Sequence, residues 1–113
     1  MSYPRYERYR DVSGQWRFRL RDTNYKTILH SSEGYHHLAD CTRAIEICQR
    51  NSPYDPYYDR RTTSAGQYYF TLRSDNGRDI GRSEDYSTLT VRELGIANVK
   101  RDGGTRTIVD VLV

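Results

Sequence analysis

The chain has 113 residues, a formal net charge of +3, 35% hydrophobic and 29% charged residues, which leaves room for one domain. Eleven tyrosines supply burial that the aliphatic content does not, so wholesale disorder is excluded. No run approaches the roughly 20 apolar residues of a membrane span, and residues 1–10 lack the apolar stretch of a signal peptide. A cytoplasmic, membrane-free protein is expected.

The first predicted element is a short aromatic and charged segment, residues 6–10, followed by a turn at Ser13-Gly14. Residues 16–21 alternate strictly, with Trp16, Phe18 and Leu20 on one face and Arg17, Arg19 and Arg21 on the other. This is the period of a strand with one dry face. Thr23-Asn24-Tyr25-Lys26 is the next turn, where tyrosine is expected to distort the geometry. An extra residue before Glu33 predicts a β-bulge near His30.

After Tyr35 the period changes. Leu38, Cys41, Ile45 and Cys48 form a helical stripe, with Arg43, Glu46, Gln49 and Arg50 outside, and Asn51-Ser52-Pro53 ends it. The two cysteines lie two turns apart, about 10 Å, which is too far for a disulfide within one helix. They read as core residues of a reducing compartment.

The pattern then returns. Gly66 to Arg73 repeats Gly14 to Arg21, and Ser83-Glu84-Asp85-Tyr86 repeats Ser32-Glu33-Gly34-Tyr35. Tyr68, Phe70 and Leu72 are expected to point inward, opposite Tyr69, Thr71 and Arg73. Asn76-Gly77 marks a tight hairpin. Leu89, Ile96 and Val99 repeat the helix stripe, and its start offers a capping box at Thr90 to Glu93 or a cap at Ser87 or Thr88. Residues 105–113 read as a final strand, apolar on both faces and therefore interior to the sheet.

These elements predict an α+β fold. Two tandem β-β-β-α repeats, about 6–53 and 57–113, and a C-terminal strand form one mostly antiparallel sheet with two helices on one face. Residues 1–113 are expected to be a single domain, because one repeat alone buries too little surface.

The glycine before an aromatic strand, the Asn-Gly turn, the Ser-Glu-x-Tyr stretch and the helix with Gly95-Ile96 near its centre resemble the YegP-like family. The resemblance covers nearly the whole chain. It implies a single sheet in which two units exchange C-terminal strands, so that a two-repeat chain is a monomeric pseudodimer. Ala44, where the family more often has glycine, together with Tyr25 and His36-His37, departs from the pattern. The resemblance implies no biochemical activity.

No enzyme motif is present, and no catalytic residue, cofactor or metal site is expected. His36 and His37 are neighbours in sequence and do not share a helix face. The expected function is a non-catalytic binding module whose protein or small-ligand partner sits on the open sheet face or at the strand ends. The alternative is a nucleic-acid binder using an Arg/Tyr sheet face. The candidate surface comprises Arg17, Arg19, Arg21, Tyr69 and Arg73 on the face, and Glu33, Tyr35, Glu84 and Tyr86 at the strand ends. Glu33 and Glu84 are expected to bond a backbone donor or to pair with Arg21 or Arg73. Beyond a monomer, weak homodimerisation through an uncovered edge strand is allowed.

Overall fold

The structure, a computed structural model, describes residues 2–112; Met1 of the expected domain and Val113 of the expected last strand lie outside the described residues. In chain order the elements are β1 (Arg5–Arg10), β2 (Trp16–Arg21), β3 (Thr27–Ser31), α1 (Leu38–Asn51), a 3-10 turn (Asp55–Tyr57), β4 (Tyr58–Thr62), β5 (Tyr68–Arg73), β6 (Asp79–Arg82), α2 (Leu89–Asp102) and β7 (Ile108–Asp110). They form one sheet in the order β4-β5-β6-β3-β2-β1-β7. Each repeat is an antiparallel meander, and the two meet where β3 pairs antiparallel with β6. The α+β architecture is the expected one.

Strand alternation decides which side chains face the helices. Phe18, Leu20, Phe70 and Leu72 are sealed from solvent and join Cys41, Ile45 and Cys48 of α1 and Ile96 and Val99 of α2 in one core. The repeats are tied crosswise at the helix ends, where carbonyls lack helical partners. The Tyr6 hydroxyl donates to the Gly103 carbonyl after α2 (2.7 Å), and the Tyr58 hydroxyl donates to the Ser52 carbonyl after α1 (2.6 Å). Each repeat's first strand thus caps the other repeat's helix. At the seam one large and one small residue share the space: a β-carbon on Gly81 would fall 2.7 Å from the Leu29 side chain.

Three expectations are corrected. The closing strand is an edge strand of three residues, parallel to β1, and not interior. Its β-branched residues favour extended backbone, but the chain leaving α2 reaches the sheet beyond β1, where only one side offers partners. The extra residue of the first repeat makes no bulge at His30. Ser31 and Ser83 occupy equivalent places, each accepting from the N–H of a phenylalanine thirteen residues earlier, Phe18 (3.3 Å) and Phe70 (3.0 Å). Tyr35 and Tyr86 are again equivalent, bridging Trp16 and Tyr68. The insertion therefore lies in the loop at residues 32–34. The register shift at Leu20/Arg21 recurs at Leu72/Arg73, so it belongs to the repeat.

Tyr25 does not distort its turn. It takes φ 64°, close to the 83° of Gly77, and keeps the same bond pattern, Tyr25 N–H to Asp22 C=O (3.0 Å) as Gly77 N–H to Ser74 C=O (3.0 Å). Its ring packs edge-on against Tyr3 at 4.6 Å, a contact that offsets the left-handed backbone. Of the starts offered for α2, Thr88 is the cap, accepting from Val91 N–H (3.1 Å), while Glu93 turns away to Arg60.

Candidate functional site

The open sheet face carries its arginines as expected, but they are occupied. Glu7 points out of β1 and lies buried beneath Arg5 (2.6 Å), Arg19 (2.7 Å) and Arg21 (3.4 Å). Burial pushes its carboxyl up, but hydrogen bonds from Arg19 and Arg5 outweigh that and hold it below the ordinary value. Arg17 pairs with Asp11 at 2.7 Å. In the second repeat Arg61 bridges Asp59 (2.7 Å) and Asp79 (2.9 Å), and Thr71 donates to Asp79 (3.1 Å). Arg82 covers the Tyr69 ring at 4.1 Å. Arg73 donates to the Pro56 carbonyl (3.4 Å), and its Nε is buried without a hydrogen-bond partner. The face is a mesh of internal ion pairs.

The strand ends differ between the repeats. Glu33 and Tyr35 line a cleft of about 360 Å³ that neither repeat could form alone. Its apolar wall is Tyr35, Ala44 and Ile47 from the first repeat and Ile80 from the second. Its charged residues are Glu33, paired with Arg78 of the opposite repeat at 3.0 Å, and Asp40, 3.5 Å from Arg43. Ser74 and Asn76 of the β5–β6 turn close one side. Where the sequence predicts a backbone donor, Arg21 or Arg73 as the partner of Glu33, its ion pair is with Arg78 instead. The Tyr35 hydroxyl is buried with no hydrogen-bond partner, and burial, then the nearby Glu33, pushes it well above the ordinary phenol value.

Glu84 and Tyr86 form no matching cleft. Glu84 is exposed, and its carbonyl accepts from the Ser83 hydroxyl (2.8 Å). Tyr86 stacks near-parallel on Phe70 (6.5 Å) and lies against Gly95, where a β-carbon would come within 2.5 Å of its hydroxyl. Burial, then Glu84, pushes this phenol up to about 12. Gly95 thus lets a tyrosine settle onto α2. At the equivalent position in α1, Ala44 presents its methyl group to the cleft.

Sequence reasoning named Glu33 and Tyr35 and missed Asp40, Arg43, Ile47, Arg78 and Ile80. No local signal marks those residues, because only the β3–β6 seam brings the second hairpin beside α1. The cleft contains no histidine, cysteine or lysine, and its carboxylates face guanidinium groups rather than a nucleophile. Among the described residues no group of three or more His, Cys, Asp or Glu side chains is placed to hold a metal ion. Cys41 and Cys48 are buried free thiols, raised by burial to about 11 for Cys41 and higher still for Cys48. No helix among the described residues is long and apolar enough to cross a membrane.

Comparison with known proteins returns one family model, a domain of unknown function (DUF1508), matched twice, at residues 11–59 and 64–110. The chain is 37% identical over 105 residues to the UPF0339 protein YegP of Escherichia coli (strain K12), covering 93% of this chain and 94% of that one. It is 43% identical over 86 residues to a UPF0339 protein of Bordetella pertussis, covering 76% and 77%. The solution NMR structure of YegP, a protein of unknown function from E. coli, superimposes with a TM-score of 0.89 at 36% identity, covering 95% of this chain and 91% of that one.

Proposed function

The chain belongs to the DUF1508 (UPF0339) family, for which no activity is named, and from that premise we propose that it is a non-catalytic binding module taking a small ligand in the inter-repeat cleft. The observation that carries this reading is the cleft's composition: an apolar wall from both repeats beside two opposed charged pairs. Concave sites with apolar walls and a few polar groups are where small molecules bind. An amphipathic molecule with a short apolar body and one or more charges matches it. Its anionic group would meet Arg78 or Arg43, and a cationic group would meet Glu33 or Asp40.

The sheet face is the weaker surface, because Arg17, Arg19 and Arg21 already hold carboxylates and a nucleic acid would have to displace them. Two buried thiols accord with a reducing cytoplasm, and the crosswise helix caps accord with a monomeric pseudodimer. The test is an NMR screen of charged amphipathic metabolites against the isotope-labelled protein. Hits should move the amides of Tyr35, Ala44 and Arg78, and Ala44→Trp, which fills the cleft, should abolish them. Hits that instead move Arg17, Arg19 and Tyr69, and survive Ala44→Trp, would transfer the function to the sheet face.

A further inference from the structure

The two outer edges of the sheet are equivalent by repeat but differ in cover. On β1, β7 runs parallel: Tyr6 N–H donates to Thr107 C=O (2.9 Å), Arg8 C=O accepts from Val111 N–H (2.9 Å), and Asp110 pairs with Arg8 at 2.6 Å. Among the described residues no such strand lies on β4, since the chain leaving α1 has only residues 52–57 before β4 begins. The 3-10 turn supplies a partial substitute through one residue. Asp55 gives its carbonyl to Tyr58 N–H and its carboxylate to Lys100 (2.8 Å) and to Arg60 (2.9 Å), whose guanidinium it shares with Glu93 of α2 (3.0 Å). It thus stands in for both Thr107 and Asp110.

The rest of the edge is open. Phe70 directs its N–H and C=O toward Ser83, so its opposite residue, Arg60, must direct its own main-chain groups outward. Among the described residues nothing bonds them. The edge therefore repeats the places that β7 fills at Tyr6 and Arg8, a carbonyl, a carboxylate and an N–H: Asp55 holds the first two, Glu93 keeps the inner side of Arg60 where Thr42 meets Arg8, and the main chain of Arg60 is open.

We propose that the outer edge of β4 is a strand-addition site, which takes an extended aliphatic peptide segment with an acidic residue followed by at least one more residue, parallel to β4, with Asp55 as the internal latch that the segment displaces while Glu93 stays on Arg60. Main-chain bonds give such a contact its affinity and the carboxylate on Arg60 gives it its register. A latch that occupies the site lowers apparent affinity by the fraction of molecules it holds closed.

The probe is a synthetic peptide of this chain's own residues 105–113, titrated into the full-length isotope-labelled protein up to about 5 mM, where even a millimolar site is mostly filled. Amide shifts should centre on Arg60 and Thr62, strengthen about tenfold in Asp55→Ala, which removes the carboxylate arm of the latch and leaves its carbonyl, and disappear when the probe's aspartate is replaced by asparagine. Shifts confined to Tyr6, Arg8 and Arg10 would mean that the peptide only displaces β7, and would overturn the proposal. So would the absence of shifts on β4 in both the wild type and Asp55→Ala. Shifts of β4 on concentrating the protein without peptide would assign the edge to a second copy, and would overturn it equally.

Discussion

Glu7 illustrates how one side chain sets the character of a whole surface. Buried on the face that should be wet, it gathers Arg5, Arg19 and Arg21 and turns three cations into one structural knot. Removing one partner of a buried ion pair leaves the others uncompensated, so Glu7→Gln should cost roughly 3 kcal/mol at neutral pH, read by denaturant melts. The folded carboxyl sits below its ordinary value of 4.5. Its stabilisation is therefore complete above that value and is lost as pH falls through the lowered one. The gap between wild type and Glu7→Gln should narrow below about pH 4.5 and stay constant above pH 6 or so. A gap independent of pH would mean that packing, not charge, holds the knot. Tyr35 is the converse case, a polar atom buried without a partner. Tyr35→Phe should raise stability by about 1 kcal/mol, because it removes an unmet desolvation cost and keeps the ring. A loss of similar size would reveal a hydrogen bond to the hydroxyl.

At the level of elements, β2 separates the two functional readings. Its inward residues Phe18 and Leu20 hold the core, while Arg17, Arg19 and Arg21 stand on the other face. Replacing the three arginines with glutamine tests nucleic-acid binding directly, with a folding readout beside it. Since each arginine already has a carboxylate partner, the wild type should bind a mixed oligonucleotide only weakly at physiological salt. Submicromolar, salt-sensitive binding that vanishes in the triple variant would promote the nucleic-acid reading, and the salt slope should then fall by up to about three units. Because Glu7 would lose two partners, the triple variant should also melt earlier than the wild type.

The whole molecule is held together by exchange between its halves. Tyr6 caps α2, Tyr58 caps α1, and both helices pack into a core built from both meanders. A half-chain of about 55 residues loses those caps and exposes the seam, and domains of that size are marginal even when complete. Residues 1–53 and 54–113 expressed separately should each fail to give a cooperatively melting monomer, checked by circular dichroism and sedimentation. A stable folded monomer from either half would refute the shared core and the single-domain reading.

Repeat, element types and dry faces were legible in the sequence because they rest on local rules. A strand shows its buried side every second residue, as Phe18 and Leu20 do, and a helix shows it every three or four, as Cys41, Ile45 and Cys48 do. Turn tolerance is local too, although Tyr25 shows that a side-chain contact can hold a backbone that the residue type disfavours. The sequence by itself determined the α+β class and the repeat with its inward aromatics. Only tertiary structure decided that β7 lies at an edge, that Glu7 neutralises the arginine face and that Glu33 meets Arg78 rather than Arg21. It also decided that Tyr35 opens a cleft while Tyr86 settles on Gly95. Those outcomes depend on which side chains become neighbours in space: Glu7 and Arg19 across one hairpin, Tyr86 and Gly95 between strand end and helix, Glu33 and Arg78 across the seam, and Arg8 and Asp110 across the chain ends. The last two are set by the β3–β6 seam and the crossing of chain ends between repeats, and no periodicity within a repeat encodes them.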